Sequence, residues 1–191
     1  MMEKGIGSTL LGKYSDLVRW FYLEESYGAP PEADDEENIH GAGHSMRVLV
    51  LALTICTFAN YPPHIMEQAA LAAAAHDIGR THQGLDDEHG EKSARKLQSL
   101  NDVMTKDWNA NVTRPVLYAI HFHSLEDDLA TFEEFTDEKE AADARLVWAV
   151  LKDADALDRV RLGDLDPQML RLPVSPKLVG LAELLLNENL K

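Results

Sequence analysis

The run Ala72-Ala73-Ala74-Ala75-His76-Asp77-Ile78-Gly79-Arg80 constrains this chain more than any other stretch. Small apolar residues occupy every side of the helix that leads into it, so that helix has no face suited to water and belongs inside the fold. Its end nevertheless carries an imidazole, a carboxylate, a helix-ending Gly79 and a cation. Polar groups delivered into an interior are costly unless something there binds them.

The elements around this run follow from spacing. Leu11, Tyr14, Leu17, Val18, Phe21 and Tyr22 recur at threes and fours and predict an amphipathic helix over 10–27. Val48 to Phe58 is apolar all round and predicts a central helix, with His44 and Arg47 sharing one face of its first turn. Tyr61-Pro62-Pro63 opens the helix that runs to Asp77. Further helices are predicted over 89–100, 113–124 and 140–162, and after breaks at Pro167, Pro173 and Pro176 a last one over 178–186. In the helix over 113–124, Val116, Ala119, Ile120 and His123 share a face, so His123 turns inward and His121 outward. The helix over 140–162 holds Asp153 and Asp155 in an apolar centre, on nearly opposite sides. Residues 28–38, 81–88 and 126–139 read as polar or acidic connections, the last with Leu129, Phe132 and Phe135 spaced by threes as a packed segment or lid. No hairpin signal, internal repeat or low-complexity tract interrupts the pattern. The expectation is an all-α helical bundle in a single domain over 1–191.

Composition limits the partners. A formal net charge of −15 opposes binding of duplex nucleic acid over most of the surface, while a few converging Arg and Lys side chains still suit a small phosphorylated ligand. The single cysteine, Cys56, lies in an apolar run and reads as a core thiol. The apolar window over 48–59 is too short to cross a bilayer, and the first dozen residues lack a secretory pattern, so a cytoplasmic protein without membrane association is expected. The oligomeric state is left open.

Four predicted helices thus bring ligand-type side chains out of apolar surroundings: His44, His76 with Asp77, His123, and Asp153 or Asp155. Nitrogen and oxygen donors without thiolate suit a divalent ion such as Mn, Fe, Mg, Co, Ni or Zn. At these residues the sequence resembles the HD-domain superfamily of metal-dependent phosphohydrolases. The resemblance rests on His44 in His-Ser-Met-Arg-Val, on His76-Asp77 followed by Ile-Gly-Arg, and on the aspartates of Lys152-Asp153-Ala154-Asp155-Ala156-Leu157. It spans about 40–161, leaving a helix before and a helical tail over 163–191.

The resemblance implies that His44, His76, Asp77 and one late aspartate ligate metal, with His76 and Asp77 at the catalytic centre. The Ala-Asp-x-Leu context favours Asp155, with Asp153 as the alternative. His89 and His123 resemble the added histidines of branches that hold a second metal. Arg47, Arg80, His123 and Arg159 are the candidate substrate contacts, with Lys92 and Arg161 as further cations. The implied activity is hydrolysis of a nucleotide or other small phosphate ester by a metal-activated water. The alternatives are an HD-fold di-iron oxygenase of a small polyol or phosphonate, which needs His89 and His123 as ligands, and a non-catalytic nucleotide-binding module.

Overall fold

A computed structural model describes residues 6–23, 40–81 and 86–187. Among them the chain is all-helical, without a strand. The helices are α1 (Ile6–Leu23), α2 (Ala42–Phe58), α3 (Pro63–Ala75), α4 (His89–Ser99), α5 (Asn101–Asp107), α6 (Arg114–Phe122), α7 (Glu138–Asp158) and α8 (Val179–Leu186), joined in part by short 3-10 turns. The proposed loop over 28–38 and the middle of the one over 81–88 lie outside the described residues.

The two helices that are apolar all round form the centre. Every residue from Ala69 to Ala75 of α3 is buried, and so are Val48, Leu49, Leu51, Ala52, Ile55 and Cys56 of α2. Alanine makes this possible, because side chains without bulk let α2, α6 and α7 close on α3. α1 covers α2 and α3 through Tyr14, Leu17, Val18 and Phe21, while α4 lies against α6. No helix is long and apolar enough to cross a membrane among the described residues.

Some boundaries differ from the periodicity. The first helix begins at Ile6, four residues earlier than predicted. α5 fully buries only Met104, with Val103 half-buried beside it, so its seven residues leave almost no periodic trace. α7 stops at Asp158, and a 3-10 turn over Arg159–Leu162 follows, ended by Gly163 in the left-handed region at φ 72°. Over 126–139, Leu129 is exposed, while Phe132 and Phe135 pack on Tyr118 in a second, smaller apolar cluster. The Tyr118 hydroxyl accepts the Phe132 amide, whose residue stands at φ 60°, so a fixed turn and not a helix produces the spacing by threes.

Gly79 serves close approach. It is not one of the positive-φ glycines, but a Cβ there would meet Ser93 N at 2.3 Å and the Lys92 carbonyl carbon at 2.5 Å, both backbone. The Gly79 amide donates to Ser93 Oγ at 2.9 Å, which draws the end of α3 onto the first turn of α4. Gly79→Ala must therefore push α4 away, and a loss of about 1–3 kcal/mol or more is expected in thermal or denaturant unfolding. Gly180→Ala, in open space on α8, serves as the control and should gain about 0.4–1 kcal/mol.

Candidate metal centre

The helix ends meet around one carboxylate. Asp77 leaves the end of α3 fully buried, and its two oxygens face different groups. Oδ2 lies 3.8 Å from His44 Nε2, 3.7 Å from His76 Nε2 and 3.1 Å from His40 Nδ1. Oδ1 lies 3.2 Å from His89 Nε2, 3.7 Å from His123 Nε2 and 3.1 Å from Arg80 Nε. Asp155 joins the first group, with Oδ1 3.3 Å from His44 Nε2, and its side chain is 32% exposed, so the cluster opens to solvent there. Asp153 points the other way. Fully buried, it accepts the amides of Arg171 at 2.9 Å and Leu172 at 2.8 Å, and pairs with the Arg171 guanidinium at 3.3 Å. A buried carboxylate costs several kcal/mol unless it is paired, and these partners belong to the tail and not to the cluster.

The hydrogen bonds assign the tautomers. The Nδ1 of His76 donates to Ala73 O at 2.8 Å, that of His123 to Ile120 O at 2.6 Å, and that of His89 to Asp86 O. His44 Nδ1 donates to Asp158 Oδ2 at 2.8 Å. With each Nδ1 turned to an acceptor, the four rings present Nε2, the nitrogen a metal would take, toward Asp77. The Nε2 atoms of His44 and His76 lie 3.1 Å apart and those of His89 and His123 3.0 Å, and facing lone pairs at such distances repel unless a proton or a cation meets one of the nitrogens. Asp77 Oδ1 is buried and accepts no hydrogen bond of good geometry among the described residues.

A divalent ion with bonds of about 2.1 Å holds its ligand atoms about 3.0 to 3.5 Å apart, close to the separations found here. Three sets drawn from His40, His44, His76, Asp77, His123 and Asp155 place their donor atoms within 4.8 Å of one another. The cluster can therefore hold a divalent metal, and its N and O donors do not select one element. Support from Nδ1 is the arrangement that orients metal-binding imidazoles and raises their donor strength.

The HD domain family model matches residues 41–160, well over half of the chain. The chain belongs to the HD domain family. No curated protein and no solved structure is detectably similar to it. The HD match ends just short of Arg161 and starts just past His40, and both residues stand at the cluster.

Of the candidate residues, His44, His76, Asp77, Asp155, His89 and His123 come together. Arg80 lies on Asp77 and His89, with its NH2 3.3 Å from His89 Nε2. Arg47 stands behind His44 and grips Asp158, Nε to Oδ1 at 2.6 Å and NH2 to Oδ2 at 3.0 Å. Arg159 is turned outward, 48% exposed and paired with Asp164, because the chain leaves helical phase at Asp158. Arg161 takes the inner place, 3.2 Å from Asp158 Oδ2. Periodicity missed Asp158, although its position three residues after Asp155 puts it on the same face of α7. It also missed His40, and Tyr22 of α1, whose hydroxyl is held well above its usual range by burial and then by the charge of Asp77.

Electrostatics favour neutral rings at most positions. Burial lowers His76 from 6.5 to about 3 and His89 from 6.5 to about 4. Burial opposes ionisation of Asp77 and Asp155, yet both carboxyls are held well below the usual range, Asp77 by its bond from His40 and by the Arg80 guanidinium, Asp155 by its contact with His44. Burial also works against charge on His44, yet its bonds to Asp155 and Asp158 raise it.

Two outcomes follow. Asp158→Asn should weaken divalent-ion affinity about 10- to 100-fold, measured by calorimetric titration, because a neutral amide replaces the charged carboxylate that orients His44 and raises its donor strength. Metal-free protein should lose stability as the pH falls from 6.5 toward about 4, since unfolding there lets His76 and His89 take up protons that the fold denies them. The contribution of His44, held above 6.5, is already complete above this window, and His40 is lowered by burial like the other two, so the melting temperature should fall across it.

Proposed function

We propose that the chain is a metal-dependent phosphohydrolase acting on a small phosphate ester, with nucleotides as the first class to examine. The observation that carries this reading is the ring of Nε2 lone pairs around both oxygens of Asp77, with every supporting Nδ1 already bonded. When bound, the ion lowers the pKa of a coordinated water and polarises a phosphoryl oxygen.

Charge supports a phosphate ligand. Around the cluster the carboxylates of Asp77, Asp155 and Asp158 are matched by the guanidiniums of Arg47, Arg80 and Arg161. Counting these carboxylates and guanidiniums alone, one divalent ion leaves an excess of two positive charges inside a protein whose net charge is −15. A phosphate monoester carries about −1.5 to −2 at neutral pH, which answers that excess. Long polyanions would meet the acidic surface first.

The chain's own groups divide the work. His44, His76, Asp77 and Asp155 hold the ion. Asp158 fixes the His44 ring and is itself held by Arg47 and Arg161. Arg80 can offer a guanidinium edge to a phosphate oxygen from its place beside Asp77. His40, bonded to Asp77 Oδ2 at the edge of the cluster, orients that oxygen.

A second reading, oxidation of a small polyol or phosphonate at a di-iron centre, draws on the second half of the cluster, where His89 and His123 face Asp77 Oδ1. The two are separated by one experiment. Protein loaded with Mn²⁺ and assayed without oxygen against nucleotides and simple phosphate esters should release phosphate or nucleoside. Asp77→Asn, checked for folding by circular dichroism, should lower that rate by about 10³-fold or more, since it takes away the charged ligand common to both halves. Failure on every ester, together with oxygen uptake by iron-loaded protein, would replace the first reading with the second.

A further inference from the structure

The two halves of the cluster are unequal. Around Asp77 Oδ2 the donors are His44, His76 and a second carboxylate, Asp155. Around Oδ1 the donors are His89 and His123, and the remaining neighbour is a cation. Arg80 places Nε 3.1 Å from Asp77 Oδ1 and NH2 3.3 Å from His89 Nε2. The guanidinium therefore touches two of the three groups that a second ion would use. The other cations of the cluster, Arg47 and Arg161, stand behind His44 on Asp158 and touch none of the donor atoms of either half.

We propose that Arg80 is a built-in cation that reserves the Oδ1 half of the cluster, so that the chain binds one divalent ion, through His44, His76, Asp77 and Asp155. Among the described residues the Oδ1 half brings no carboxylate of its own. A second ion there would share the single charge of Asp77 with the first ion and would meet the guanidinium at contact distance in a buried site. The Arg80 side chain is only 10% exposed and lies on Asp77, so the guanidinium is packed in its place. His89 and His123 then serve a different purpose from ligation: His89 offers its lone pair to the Arg80 NH2 and helps hold the guanidinium facing Asp77. His89, which together with His123 would predict a second metal from spacing, is in this chain the seat of an arginine. This counts against dinuclear oxygen chemistry. It rests on the reading that the cluster binds a divalent ion, and the test below separates the two.

Metal-free, full-length protein is dialysed against Mn²⁺, the bound ion is counted per chain, and the electron paramagnetic resonance spectrum is recorded. Wild type and Arg80→Lys should hold one ion with the spectrum of an isolated Mn²⁺. Arg80→Met, which keeps the bulk and loses the charge, should hold two ions with an exchange-coupled spectrum, and adding His123→Ala should return it to one. Arg80→Gln, a smaller neutral replacement, should behave as Arg80→Met does, so the count stands where one of the two fails to fold. Two tight ions in wild type, or one ion in a folded neutral variant, would each overturn the role of Arg80. No bound ion in any variant would overturn the metal reading itself.

Discussion

Everything at the centre of this protein depends on where the Nδ1 protons of four imidazoles go. Three are spent on backbone carbonyls, of Ala73, Asp86 and Ile120, and one on the Asp158 carboxylate. Two of those carbonyls, three residues back in the chain from His76 and His123, belong to the last turns of α3 and α6, where carbonyls have no intrahelical partner. A helix end thus supplies both the imidazole and the acceptor that orients it. Burial in an alanine-lined interior completes the arrangement, because it keeps water from competing for either nitrogen and makes protonation of His76 and His89 unfavourable.

The parts of this design that were legible in the sequence are those set by local spacing. An all-apolar run that ends in His76-Asp77 cannot hide its polarity, and the phase of α6 separates His123 from His121 because both lie in one regular helix. Between Asp153 and Asp155 the phase showed only that they face opposite ways; which faces the histidines depends on how α7 rolls against α2 and α3, a long-range property. Arg159 and Arg161 exchange roles for a similar reason. The tightening from α-helix to 3-10 at Asp158 rotates the side chains that follow, and periodicity carried past that point assigns the wrong face. α5 left no signal because one buried Met104 makes no pattern. Gly79 looked like a helix stop and is a point of contact, a distinction that requires the position of α4.

The electrostatic plan joins two scales. At long range the chain is strongly acidic, which disfavours extended polyanions. Within a few ångströms of Asp77 the carboxylates and guanidiniums are matched, and each arginine is committed to a carboxylate, Arg47 and Arg161 to Asp158, Arg80 to Asp77. Pre-paired arginines keep their geometry without a ligand, which reduces the ordering that binding would otherwise require.

α7 carries two aspartates two residues apart that are tied to opposite sides of the molecule, Asp155 to the His44 ring and Asp153 to the backbone at Arg171 and Leu172. A helix fastened on both flanks cannot turn about its own axis without breaking one attachment. The segment after Leu162 thereby acts as a torsional brace for the metal-facing side of α7, although none of its described residues touches the cluster. Changes in that distant segment can then alter the angle at which Asp155 meets an ion while leaving every ligand in place.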